Sequence, residues 1–210
     1  MLRCNAECLP IRHGCIVVCF LIISIMVGVP GCGTRTPEEP TGSRGTFVPP
    51  TSPMIVIDNL RNALAEKNTE NYALCLADNQ TRSNYQFVFE PSAEVRARYQ
   101  TLFDSWSVAK ERQAFISMSA RIAPGQAAEL TLTSLTTSYS SPDSVVLLSD
   151  YRLFVPHNIE TVPTTLRGTM VLTVTPESSG QWSISRWIDA RLPTDSAENT
   201  WSLLKANLAN

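Results

Sequence analysis

Thr165-Leu166-Arg167-Gly168-Thr169-Met170-Val171-Leu172-Thr173-Val174-Thr175, then Pro176-Glu177-Ser178-Ser179-Gly180, then Gln181-Trp182-Ser183-Ile184-Ser185-Arg186-Trp187-Ile188-Asp189, is the stretch that decides the fold. Met170, Leu172 and Val174 recur at every second position, the period of a strand with one buried face. Trp182, Ile184 and Ile188 repeat that pattern in the second arm, and the Pro, Ser and Gly between the arms supply a turn. The pair therefore reads as a hairpin. In its second arm Ser183, Ser185, Trp187 and Asp189 share one face, opposite Trp182, Ile184, Arg186 and Ile188, and alternation alone does not say which face is inside.

Working outward, Leu130 to Tyr139, rich in Thr, and Ser144 to Val155, more apolar, extend the two-residue period upstream, so four consecutive strands are expected. Before Pro124-Gly125 the period is helical. Ser52-Pro53 starts a helix whose Ile57, Leu60 and Leu64 line one side before it closes at Lys67-Asn68. Thr69 to Ala77 reads as a second short helix, Tyr85 to Phe89 as a strand stopped by Glu90-Pro91, Ser92 to about Phe103 as a helix and Ser107 to Met118 as another. Downstream, Asp195 with Glu198 resembles a capping box opening a helix in which Trp201, Leu204 and Leu208 share a face. This order predicts an α+β domain, with N-terminal helices packed on a curved antiparallel sheet and a C-terminal helix.

The first residues read differently. Arg3, Arg12 and His13 precede an uncharged run from Cys15 to Val29, followed by Pro30, Gly31 and Cys32, the layout of a secretory signal. The run is shorter than the roughly 20 apolar residues a span requires. Val29, Gly31 and Cys32 resemble a bacterial lipoprotein signal, an aliphatic residue and small residues ahead of the cysteine that takes lipid, while Pro30 departs from that pattern. The resemblance implies lipidation of Cys32, anchoring in a membrane of the bacterial cell envelope, and, with Gly33 rather than Asp next, the outer membrane where the host has two. More than one acyl chain makes such anchoring stable. Gly33 to Ser52, rich in Gly, Pro, Thr and Ser, reads as a flexible tether that reaches on the order of 25 Å. The expected organisation is a signal over 1–31, lipidated Cys32 and tether over 32–52, and a single domain over 53–210.

Cleavage removes Arg3, Arg12 and Glu7 from totals of 17 basic and 19 acidic residues, leaving a formal charge of about −3 with the basic residues scattered singly. That argues against a nucleic-acid partner. Of six cysteines only Cys32 and Cys75 follow the signal, so no internal disulfide is expected and Cys75 reads as a small core residue. No Gly-x-Ser-x-Gly elbow, glycine-rich phosphate loop or metal-ligand spacing is present, and no cofactor is expected.

Asn59 to Tyr72, Phe87-Val88-Phe89 and Gly180 to Asp189 together resemble the cone-shaped nuclear-transport-factor-2-like superfamily, which includes ketosteroid-isomerase-like and SnoaL-like proteins. The resemblance covers most of residues 54 to 192. It implies a pocket between sheet and helices in which the superfamily's enzymes hold one carboxylate or histidine near a hydroxyl donor. Asp104, Asp150, Tyr151, Trp187 and Asp189 are the candidate pocket residues. Glu111 also falls in the region, while His157, between Pro156 and Asn158, reads as an exposed turn. Trp106, Trp182, Trp187 and Trp201 are of the type that stacks on an apolar or sugar-like ligand, but single tryptophans on strand and helix faces read first as core. With no recognisable catalytic pair, the expectation is a non-enzymatic binding or interaction module for a small apolar ligand or an envelope protein. The alternative is a SnoaL-like isomerase or cyclase using one pocket acid or base. A cone filled with side chains argues for use as a scaffold, and an open cavity with a reachable acid argues for ligand chemistry.

Overall fold

The computed structural model describes residues 45–209. The expected signal over 1–31, the Cys32 lipidation site and the tether up to Arg44 lie outside the described residues. Among the described residues, five strands form one curved sheet in the order β1-β5-β4-β3-β2: β1 (Val88–Glu90), β2 (Glu129–Ser140), β3 (Val145–Phe154), β4 (Thr165–Pro176) and β5 (Trp182–Ala190). The last four are an antiparallel meander as expected, each within two residues of its sequence-based limits, and β1 joins β5 in parallel. No described helix is long and apolar enough to cross a membrane.

The inner face follows the two-residue period. Leu147, Tyr151 and Leu153 of β3 and Leu166, Met170, Leu172 and Val174 of β4 are all buried. Against them pack α1 (Pro53–Glu66), α2 (Thr69–Leu74), α3 (Ala93–Arg98), α4 (Val108–Ser119) and α5 (Trp201–Leu208). Proline at the first turn opens α1, Val56, Ile57, Leu60, Ala63 and Leu64 bury one side, and Lys67 in the left-handed region closes it. α2 starts where the Asn68 side chain accepts the Asn71 N–H at 3.1 Å.

Several expectations change. In β5 a bulge between the Thr173–Arg186 and Val174–Ile184 pairs shifts the pattern, so Ile184 enters the core on the same sheet as Trp187 and Asp189, although strict alternation puts Ile184 on the opposite face from them. The helix expected to run to Phe103 stops at Arg98, after which the chain turns so that Phe103 and Trp106 pack on Phe89. β1 is shorter than Tyr85 to Phe89 and leaves Tyr85 exposed. Asp195 and Glu198 do not cap α5, which begins after Thr200, because both carboxylates are engaged elsewhere. Asp195 pairs with Arg167 at 2.9 Å, and Glu198 accepts from the hydroxyls of Ser92, at 2.8 Å, and Thr200.

Gly45 to Ser52, expected as tether, is bonded to the domain. Asn59 holds Val48 on both sides, accepting its N–H at 2.9 Å and donating to its carbonyl at 2.6 Å. The Thr46 N–H and hydroxyl donate to Glu66 at 2.9 and 2.6 Å, and the Trp182 N–H donates to the Pro50 carbonyl at 2.8 Å.

Candidate functional site

Two acid-centred networks occupy the space between the sheet and the helices, and α5 joins both. In the first, Tyr151 of β3 and Asp189 of β5 point inward from strands separated by β4. The Tyr151 hydroxyl donates to Asp189 Oδ1 at 2.7 Å. Their other positions are taken by the start of α5. The Trp201 N–H donates to the Tyr151 oxygen at 2.7 Å, and the N–H and hydroxyl of Ser202 donate to Asp189 Oδ2 at 2.6 and 2.5 Å. Asp189 and Tyr151 therefore cap the start of α5 between them, Asp189 taking the Ser202 N–H and Tyr151 that of Trp201, groups that a helix start leaves without partners. Burial pushes its carboxyl up to about 6, with the hydrogen bonds from Ser202 and Tyr151 and the charge of Lys205 pulling the other way. Burial and the neighbouring Asp189 charge hold the Tyr151 phenol well above its ordinary range, so it serves as a donor.

The second network centres on Glu111, one turn into α4 and fully buried. Both carboxylate oxygens accept: Oε1 from the Tyr72 hydroxyl and Oε2 from the Trp106 indole N–H, each at 2.6 Å. Lys205 of α5 brings its ammonium to 2.8 Å from Oε1, with both side chains almost without exposure. The same ammonium lies over the rings of Phe89 and Trp187, 3.6 and 4.0 Å from their centroids. Burial lowers the Lys205 pKa, and Glu111 and then Asp189 oppose that shift. A buried acid–base pair of this kind is costly to break from one side.

Together these groups fill the interior. Trp187 packs edge-on against Trp201, with ring centroids 4.6 Å apart, and the void left beside Tyr72, Glu111, Met118 and Lys205 is about 10 Å³. One water needs roughly 10–15 Å³, so this void admits no small molecule while α5 is in place.

Of the expected pocket residues, the structure brings Tyr151, Trp187 and Asp189 together and leaves the other two outside. Asp104 is exposed between the buried Phe103 and Trp106, and Asp150 lies on the outer face of β3, where it accepts from the Thr169 hydroxyl at 2.7 Å. Asp150 and Tyr151 are adjacent on one strand, so only one of them can face inward. Lys205 was not among the expected site residues, since a lone Lys beside Leu204 ordinarily lies on a solvated face. His157 is buried rather than exposed. It follows the end of β3, its Nδ1 accepts the Ile159 N–H at 3.1 Å, and burial lowers its pKa. Cys75 is buried in the core as expected, with its thiol pushed up to about 12.

Outside the closed chamber, an open groove of about 770 Å³ lies between α2, the 77–87 segment and the start of α4. Leu74, Ala77, Phe87 and Val108 form its apolar floor, with Arg82 and Arg112 at the sides. Arg82 is fixed by Glu177 at 2.7 Å and the Leu76 carbonyl at 2.8 Å, and Arg112 pairs with Glu70.

No family model matches the chain, and no curated protein matches it. Among solved structures, a nuclear transport factor 2-like superfamily protein from Salmonella enterica serovar Typhimurium is 8% identical, with 68% of this chain and 91% of that one covered at a TM-score of 0.48. An NTF2-like protein from Cytophaga hutchinsonii is 11% identical over 66% of this chain and 94% of that one, at a TM-score of 0.46. A protein named for the calcium/calmodulin-dependent protein kinase II association domain, from Xanthomonas campestris, is 14% identical over 68% and 86%, at 0.49.

Proposed function

We propose that this chain is a lipid-anchored protein of the bacterial envelope whose domain works by its outer surface, as a non-enzymatic binding or interaction module. The observation that carries this reading is the closed interior, in which α5, Trp187 and the Glu111–Lys205 pair leave a void of about 10 Å³. The groove floored by Leu74, Ala77, Phe87 and Val108 is then the place where an apolar segment of an envelope protein would bind, its flanking Arg82 and Arg112 already neutralised by acids of this chain. The anchor rests on the Val29-Pro30-Gly31-Cys32 pattern.

The alternative, a small-molecule isomerase or cyclase, draws support from the Tyr151–Asp189 pair and the raised pKa of that carboxyl. It requires α5 to leave, because Trp201 and Ser202 already occupy the positions a substrate would take on both residues.

The test is made in bacteria on the full chain. A fatty-acid label should mark the wild type and not Cys32→Ser, and a photo-crosslinking residue at Leu74 should capture a protein that the same residue at Tyr139, on β2, does not. Equal labelling of wild type and Cys32→Ser refutes the anchor. Equal capture, or none, at the two positions refutes the interaction groove.

A further inference from the structure

Lys205 is the anomaly of the core, a cation with 2% of its side chain exposed in a chamber walled by aromatic rings. Phe89 and Trp187 lie 3.6 and 4.0 Å from the ammonium at their centroids, and Trp201 lies 5.5 Å away. Glu111 Oε1, 2.8 Å away, supplies the opposite charge and a hydrogen-bonding contact to the ammonium. Its surroundings therefore combine one carboxylate acceptor with π faces on the other sides. Such surroundings favour an alkylammonium, including one with no N–H donors at all.

We infer that the space between β1, β5 and α4 is a receptor for an alkylammonium cation and that the Lys205 side chain is its internal occupant. Phe89 and Trp187 stand on β1 and β5, and Glu111 on α4, so two rings and the carboxylate do not depend on the helix that brings the lysine. Tyr72 and Trp106 fix the carboxylate by bonding one oxygen each, so it keeps its orientation when the lysine is shortened. Phe103 packs behind at a tilt, its ring centroid 4.8 Å from that of Trp106 and 5.6 Å from that of Phe89. This goes beyond the surface-interaction reading and does not rest on it. A lysine present only for its stem would be replaceable by a neutral group of the same length, and one present only for charge would be replaceable by any small cation.

The test uses the full chain carrying Lys205→Ala, with methylammonium and tetramethylammonium chlorides as probes, and sodium chloride and tert-butanol as the charge-only and shape-only controls. The variant should melt below wild type, and each alkylammonium should raise its Tm saturably, by roughly 3–6 °C at ten times the dissociation constant in a domain of this size. Wild type should show no such rise, its site being filled. Equal responses to the alkylammonium salts and to either control, or equal responses of variant and wild type, overturn the inference. If Lys205→Ala does not fold, methylammonium should restore its circular dichroism, and failure to do so also overturns it. Lys205→Met keeps the volume without the charge. It should melt below wild type and recover when Glu111→Gln is added, and a Lys205→Met protein as stable as wild type counts against a cation site.

Discussion

Asp189→Asn is expected to abolish a fall in stability that the wild type shows as pH rises through the range of mild acidity. The carboxyl is buried, and its pKa climbs from 3.8 to about 6 in the folded protein, mainly because burial disfavours the charged form. Between those values the folded chain holds a proton that the unfolded chain has released. Stability from this group is therefore fully present below 3.8 and is lost as pH rises through about 6. A rise of that size corresponds to roughly 3 kcal/mol above both values, or roughly 6–12 °C in Tm for a chain this long. Asparagine cannot ionise, and its carbonyl still accepts from Ser202. The amide that replaces Oδ1 faces the Tyr151 hydroxyl, which must turn its proton elsewhere, at a cost of about 1–3 kcal/mol that does not vary with pH. Urea unfolding of both proteins at intervals from about pH 4 to about pH 7 isolates the effect, because titrating groups that do not sense Asp189 cancel in the difference. The variant should be the less stable protein at the acid end and should gain on wild type toward neutrality. A difference constant across that range, within about 0.5 kcal/mol, would refute the assignment of Asp189 as a carboxyl whose charge is disfavoured by burial.

Two further outcomes are expected. Gly168→Ala should destabilise by about 1–3 kcal/mol, because a Cβ there meets the Ala190 carbonyl at 2.5 Å and the Tyr151 hydroxyl at 2.9 Å; thermal melting would measure this, and an unchanged Tm would mean β4 and β5 can separate without cost. Asn59→Ala should release the segment around Val48, which loses both bonds to that side chain, and cost about 1–3 kcal/mol; limited proteolysis should then cut near Thr46 to Pro50 in the variant well before wild type.

The two central strands of the meander were legible because each keeps one wet and one dry face, so Leu147 to Leu153 and Leu166 to Val174 print their burial directly in the residue types. The helices at α1 and α4 were legible for the same reason at a different period. Sequence could not foresee the bulge that turns Ile184 inward, since the extra residue is defined by its pairing with β4 and leaves no mark on β5 itself. Lys205 and Glu111 were illegible as a pair, because neither shows its partner locally and each alone fits an exposed helix face. Asp195 and Glu198 misled in the opposite way. Their spacing matches a helix cap, but Arg167 and Ser92, both distant in sequence, hold them. Tyr151, Trp187 and Asp189, three of the expected pocket residues, meet in the core, whereas Asp150 lies on the outer side of the strand that turns Tyr151 inward, since one residue on a strand means the other face of the sheet.

The parallel pairing of β1 with β5 carries a consequence for how the molecule is assembled. β2 to β5 are joined by successive hairpin-like connections, so each can zip onto its predecessor as soon as it exists, whereas Glu90 and Arg186, which meet across the β1–β5 edge, are separated by 96 residues. Closing so long a loop is slow, and β1 has only three residues of ladder to reward it. The ring of Phe89 is on that strand. The desolvated seat for the Lys205 ammonium is thus complete only once the β1–β5 pairing, the most distant in the sheet, has brought Phe89 into place. Contact order therefore predicts that charge burial comes late in folding, after the local hairpins have paired.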